Sequence, residues 1–384
     1  MLTRAAPLVA VVLIAACATA VSPPFAPAFK DPVWTRLTPR NAPEFISGSE
    51  FAGWDGGFLA AYSDYTHPVQ VHTSPDGVVW RDTSPFAVRV DPRAVAGYGS
   101  SAYLLGWHGG ELVVNRTQDG ATWTPTPLPL DKIPTEVLDT ESLHATIVTG
   151  EHGVLVVGWA NDLDEPNSDL YLWYSPDGKI FPQPDIRPTT AVGWTHIVNA
   201  AATPVGFLVV DSDLATTVLL ASPDGHRWED ISVGFPQDAP GYLFHLGANS
   251  STTVVERRPV EDTTRPDNGH HIWYRRAGTW HPTDLAPGHL PDPGVVPVQD
   301  RNLTALRNWG SGFIGAGGTT DGLVGAVWTS PDGSTWPKVP VRANGFDQTI
   351  VIADVVTGNR RALAFGVPDK VGAGSFIWQT DPPR

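Results

Sequence analysis

The chain has 384 residues, 41% apolar and 17% charged, and its 15 Trp, 14 Phe and 8 Tyr supply enough burial surface to exclude a disordered class. Its 38 Gly and 37 Pro leave little room for long helices and suit short strands joined by tight turns. Lys plus Arg is 25 against 40 for Asp plus Glu, a net charge of −15 that argues against a nucleic-acid binder, and one Cys excludes an intrachain disulfide.

Residues 1–16, MLTRAAPLVAVVLIAA, carry Arg4 and then an apolar run from Leu8 to Ala16. Such a run is too short for a transmembrane helix and suits the core of a signal peptide. It ends in Ile14-Ala15-Ala16-Cys17, which resembles the bacterial lipobox. The resemblance implies cleavage before Cys17 and a diacylglyceryl group on its thiol. The competing expectation is ordinary export with cleavage after Ala18-Thr19-Ala20, which would discard Cys17. Residues 17–32 are Pro-rich and read as a tether from the lipidated Cys. At about 3.1 Å per residue they would hold a domain some 40 Å from a membrane. The expected location is the outer side of the cell membrane or the cell envelope, with membrane contact through the lipid alone.

From residue 33 to 384 the chain repeats itself. Ser74-Pro75-Asp76-Gly77-x-x-Trp80 recurs as Ser175-Pro176-Asp177-Gly178-x-x-Phe181, Ser222-Pro223-Asp224-Gly225-x-x-Trp228 and Ser330-Pro331-Asp332-Gly333-x-x-Trp336. Worn copies are Thr117-Gln118-Asp119-Gly120-x-x-Trp123 and Arg276-Ala277-Gly278-Thr279-Trp280. Asp-Gly between β-rich runs is a hairpin signal, because Gly accepts positive φ and Asp bonds nearby backbone. Apolar runs opened by Gly, such as Gly57-Phe58-Leu59-Ala60 and Gly206-Phe207-Leu208-Val209-Val210, lie upstream, with a further strand before each. The unit is therefore four antiparallel strands. The last copy, Phe376-Ile377-Trp378-Gln379-Thr380, lacks its fourth strand, and Val33-Trp34-Thr35-Arg36-Leu37 matches the missing piece. The prediction is an all-β, seven-bladed β-propeller, one domain, whose last blade is shared by the two termini.

The SPDGxxW repeat resembles the Asp-box of the sialidase-like, or BNR-repeat, propellers, although Gly follows Asp one residue earlier than in that family's pattern. The resemblance covers roughly residues 33–381. It implies that Ser74, Asp76, Gly77, Trp80, Asp119, Gly120, Trp123, Ser175, Asp177, Gly178, Ser222, Asp224, Gly225, Trp228, Ser330, Asp332, Gly333 and Trp336 are structural. Antiparallel alternation puts these turns on one face of the disc. The longer connections, residues 124–141, 161–169, 261–270 and 281–300, fall on the other, where function is expected.

A catalytic sialidase would need an Arg triad, a Tyr–Glu nucleophile pair and an Asp acid/base. No R-I-P segment is present near the N-terminus, Arg187-Pro188 falls in the wrong blade, and the last tyrosine is Tyr274. Asp91, Glu141, Asp300 and Asp354 fall near inner-strand starts and keep a carboxylate pair open. His144, His196 and His245 fall early in the first strands of blades three, four and five, with Arg301 and Asn302 in blade six. These five are the candidate ligand-binding residues at the channel mouth. The loop Asp162–Asp169 has oxygen donors that suit Ca²⁺ but lacks EF-hand spacing, so a solvated loop is expected, with no metal and no cofactor. The leading reading is a non-catalytic, membrane-tethered binding or scaffold module for a protein, peptide or glycan, acting as a monomer. The alternative is a diverged sialidase-like glycoside hydrolase.

Overall fold

The computed structural model describes residues 32–43, 49–62, 70–84, 94–138, 143–160, 169–188, 197–212, 216–237, 241–259, 271–283, 285, 301–319, 324–340, 344–346, 349, 351–367 and 374–381. Seven antiparallel sheets follow one another along the chain. The inner strands are Glu50–Trp54, Ala94–Tyr98, Leu143–Gly150, Ile197–Thr203, Gly241–Ala248, Arg301–Trp309 and Val351–Gly358. Each pairs with the strand that follows it, and the blade then grows outward. This is the seven-bladed propeller predicted from the repeats.

Closure uses both ends of the chain. Thr35–Arg36 pairs with Phe376–Thr380 in the register Thr35↔Gln379 and Arg36↔Trp378, so the N-terminal segment is the outermost strand of blade seven. The Leu37 N–H donates to the Ile377 carbonyl at 2.8 Å, and the Trp34 ring packs on Trp309 and Phe346 while its backbone N–H donates to Asn344 Oδ1. Ring closure removes the sheet edges that an open array would expose.

Blade six departs from the four-strand expectation. Among the described residues it has three strands, and its outer segment is reduced to a bridge, Trp328↔Lys338. The reason is in the sequence: Pro337 and Pro340 flank that segment and lack the N–H a ladder needs.

The core lies between the blades rather than within one sheet. Seven clusters of buried side chains each join two neighbouring blades. Trp173, Trp328 and Trp378, on the third strands of blades three, six and seven, are fully buried wedges in this arrangement. A large aromatic at that place fills the widening gap between twisted sheets, at 150–250 Å² of burial per ring in general.

Candidate functional site

The Asp-box turns occupy one face of the disc. In blade one, Ser74 Oγ accepts the Gly77 N–H at 2.8 Å, Asp76 Oδ1 accepts the N–H groups of Val78 and Val79, and Trp80 Nε1 donates to the Gly77 carbonyl. Blade six repeats this with Ser330, Asp332, Gly333 and Trp336. Blades two, three and four repeat the hydroxyl-to-glycine bond at Thr117, Ser175 and Ser222. Backbone N–H groups of Thr122, Lys179 and Arg227 hold the carboxyls of Asp119, Asp177 and Asp224 below the usual carboxylate range, Asp119 to about 2. Blade five has no such turn; Ala277 and Gly278, both at positive φ, make a tight hairpin instead.

These turns also clasp the preceding blade. Thr73 Oγ1 donates to the Gly120 carbonyl at 2.8 Å, Arg276 donates to the Asp332 carbonyl at 2.9 Å, and Arg361 donates to the Asp76 carbonyl at 3.2 Å. Gly225 sits at φ +75°, and a Cβ there would lie 2.3 Å from the Tyr174 ring of blade three. Glycine is therefore needed twice, for the turn and for the approach of the blades.

The inner strands enclose a cavity of about 540 Å³. Its lining starts at Ser49, Ala94, Thr146, Asn199, His245, Thr304 and Ala353 and, on blades two, three, four and seven, ends at Tyr98, Glu151, Pro204 and Thr357. The latter residues belong to, or adjoin, the inner hairpins, which lie on the same face as the Asp-box turns. The described lining thus lies in the Asp-box half of the channel. Of the expected mouth residues, His245 lines it. His144 does not: its ring is half-buried and stacks on Trp159, 5.6 Å between centroids. Arg301 and Asn302 begin the inner strand of blade six, ahead of the stretch that lines the cavity. His196 and Cys17 lie outside the described residues, as do Asp91, Glu141, Asp300, the loop at 162–168 and most of the long connections. Arg187 stands on the outer strand of blade three, and Tyr274 on the third strand of blade five. Among the described residues no group of three or more His, Cys, Asp or Glu side chains is placed to hold a metal.

Below the rim, where Glu151 of blade three stands exposed, the channel holds ionisable groups on four consecutive blades, five, six, seven and one. Arg307 Nη2 donates to Asp354 Oδ2 at 2.7 Å; half of the Arg307 side chain (49%) is accessible in the channel, against 9% for Asp354. The Asp354 charge raises Arg307 further above its usual range. Glu50 accepts the Val95 N–H at 3.0 Å. Burial pushes its carboxyl up to about 8, against the pull of that N–H and of Arg307, with the Asp354 charge adding to the rise. His245 Nδ1 lies 2.7 Å from a carboxylate oxygen of Glu256, which is completely buried on the second strand of the same blade. Blades two to four face these groups with small and apolar side chains, including Ala94, Ala96, Val148 and Ala201, interrupted by Thr146, Thr149, Asn199 and Thr203 and, at the rim, by Glu151.

Glu50 and Arg307 were not among the residues singled out from sequence. A signal existed for Glu50 but not for Arg307: Glu50, Thr146, Asn199 and Asp354 each stand seven residues before the first residue of the next strand, at Gly57, Gly153, Gly206 and Arg361. Counting back from that hairpin places them on one rung.

No protein-family model matches the chain, and no curated protein matches it. Solved structures do. A puromycin hydrolase aligns with TM-score 0.55 and 12% identity over 88% of this chain and 52% of its own. The polysaccharide lyase Uly1 aligns with TM-score 0.52 and 9% identity over 92% of this chain and 98% of its own. A Trypanosoma rangeli sialidase aligns with TM-score 0.46 and 10% identity over 90% of this chain, which spans 59% of the sialidase's length. The likeness is one of fold.

Proposed function

We propose that this propeller is a membrane-tethered, extracytoplasmic binding or scaffold module that takes a protein, peptide or glycan ligand at its channel without turning it over. The observation that carries this reading is the state of the channel's cation. Arg307 is the one arginine in the described cavity lining, and Asp354 already neutralises it. A site built to seize a substrate carboxylate needs unmatched guanidinium groups converging on it, and no such cluster stands among the described residues. The tether rests on Ile14–Cys17 and the Pro-rich stretch that follows. No helix among the described residues is long and apolar enough to cross a membrane.

A second reading keeps the channel and adds chemistry. Glu50, near-neutral in its titration, and Asp354, paired with Arg307, are two carboxyls in different environments. Such a pair is the minimum for glycoside hydrolysis. The neighbours that align include enzymes, but at 12% identity or less a fold carries no activity with it.

Two measurements test the lead. Detergent phase partitioning of the full chain made in a bacterial host should place it in the detergent phase, and Cys17→Ser should move it to the aqueous phase. Incubation with fluorogenic aryl glycosides, a sialoside included, should release no product. Turnover abolished by Glu50→Gln would hand the assignment to the hydrolase.

A further inference from the structure

The lining of the channel changes character around its circumference and with depth, and both changes restrict the ligand. Around the circumference, the ionic groups of blades six and seven come matched, Arg307 with Asp354, while His245 on blade five is tied to Glu256 by a 2.7 Å hydrogen bond. Glu50, the remaining carboxyl at that depth, keeps its proton near neutral pH because burial beside Asp354 opposes a further negative charge. A ligand carboxylate or phosphate entering the same space would meet the same opposition. A ligand ammonium would face Arg307. An uncharged ligand disturbs neither balance.

What the walls offer is hydrogen bonding in both directions. Arg307 presents donors in a planar fork, Asp354 accepts, and a protonated Glu50 does both. Alcohol groups also do both, so a polyol matches this lining group for group. The opposite wall of Ala94, Ala96, Val148 and Ala201 leaves room and gives a dry surface for C–H groups. With depth, the rim is marked by Tyr98, 49% exposed and at the end of its strand. Glu151, exposed beside it, belongs to the solvated rim. The rung of Glu50 and Asp354 lies four residues in from the ends of their strands at Trp54 and Gly358, a depth of about 13 Å at the rise of a β-strand. A ligand that touches both rim and rung is longer than one sugar ring. The cavity volume of about 540 Å³ falls in the range of small-molecule sites.

We propose that the Asp-box half of the channel binds the end of an uncharged oligosaccharide, one ring stacked on Tyr98 at the rim and the hydroxyls of a ring further along the chain held by Arg307, Asp354 and Glu50 below. This rests on the reading of the channel as a binding site and names the class of its ligand. It also places the site at the face opposite the long connections.

The test is a calorimetric titration of the full chain in detergent with maltotriose, cellotriose and arabinotriose. 3′-Sialyllactose serves as the anionic probe and trilysine as the cationic one. At least one uncharged trisaccharide should bind. Tyr98→Ala should weaken it by about tenfold or more, and Tyr98→Phe should leave it intact. Arg307→Lys, which keeps the charge opposite Asp354 and loses the planar fork, should also weaken it. Unchanged melting of Tyr98→Ala separates lost contact from lost fold. Binding of only sialyllactose or trilysine, weakened by the Arg307 variant, would overturn the ligand class while leaving the channel a binding site. Binding of a trisaccharide that ignores Tyr98 and Arg307, or no binding by any probe, would overturn the proposal. Cleavage of a bound trisaccharide would keep the ligand class and end the non-catalytic reading.

Discussion

The two ends of an inner strand's neighbourhood, the Asp-box turn outside and the channel inside, use carboxyl groups in opposite ways. At the turns, Asp119, Asp177 and Asp224 lie near solvent and collect backbone N–H groups, and their acidity increases. In the channel, Glu50 collects one N–H and much burial, and its acidity falls. The aspartates are ionised fixtures that stiffen a turn and clasp the preceding blade. Glu50 is a group whose charge is decided near neutral pH. The lesson is that residue type and motif identify the scaffold carboxyls, whereas environment alone identifies the one in the channel.

The largest expected effect concerns the frame both regions share. Deleting Phe376–Arg384 removes the strand between Arg361–Val367 and Thr35–Arg36, and with it the fully buried Ile377 and Trp378. Most of the stability of the ring should be lost, read as the collapse of a single cooperative thermal transition. A truncated chain that melts close to the intact one would break the closure account. Next in size is Trp34→Ala, which empties the contact with Trp309 and Phe346. It should cost about 3–5 kcal/mol in urea unfolding, and the loss should fall on the blade six–seven junction in hydrogen exchange.

A smaller effect separates turn from channel. Asp76→Ala removes the acceptor for Val78 and Val79 and should cost about 1–2 kcal/mol. Ligand affinity measured below the melting range should not change. Arg307→Lys should do the reverse. Loss of binding in the Asp76 variant with unchanged melting would put function in the turns.

The smallest effect is the pH slope, and its sign differs between the regions. Asp119 is more acidic folded, at about 2, than unfolded, so its contribution is present above the usual carboxylate range and fades as pH falls toward 2. Glu50 titrates at about 8 in the folded chain against 4.5 ordinarily, so the native state holds the proton more tightly. Stability should therefore decline as pH rises from about 4.5 to 8. Glu50→Gln should flatten that decline in melting scans without touching the acid limb.

Much of the fold was legible because the physics that makes a blade leaves residues in the chain. Positive-φ glycine after Asp, an aromatic that caps the turn and alternating strands recur in blades one to four and six, and Trp34 with Trp378 announce the closure. Blade six strays where two prolines interrupt the outer ladder. The site was legible in part. His144 and His245 both fall early in inner strands, but His144 is six residues before the strand end at Gly150 and His245 three before Ala248. Equal rank from the start is not equal depth when strands differ in length and blade five carries a bulge near Gly241. Depth is fixed by the hairpin, which is why Glu50 and Asp354 share a rung although one opens its strand and the other sits inside. The clasps between blades left no trace in sequence, since the acceptors are backbone carbonyls that any residue supplies.

One proton, on Glu50, decides the charge of the channel. Glutamate labelled with ¹³C at the side-chain carboxyl, assigned by comparison with Glu50→Gln, reports its ionisation directly as pH is varied from 4 to 9. The channel described here predicts that the Glu50 resonance titrates near 8, well apart from the surface carboxyls. A midpoint in the ordinary range between 4 and 5 would mean that Glu50 is charged at neutral pH. The rung would then carry an unmatched anion, and the electrically balanced site inferred from Arg307 and Asp354 would be contradicted.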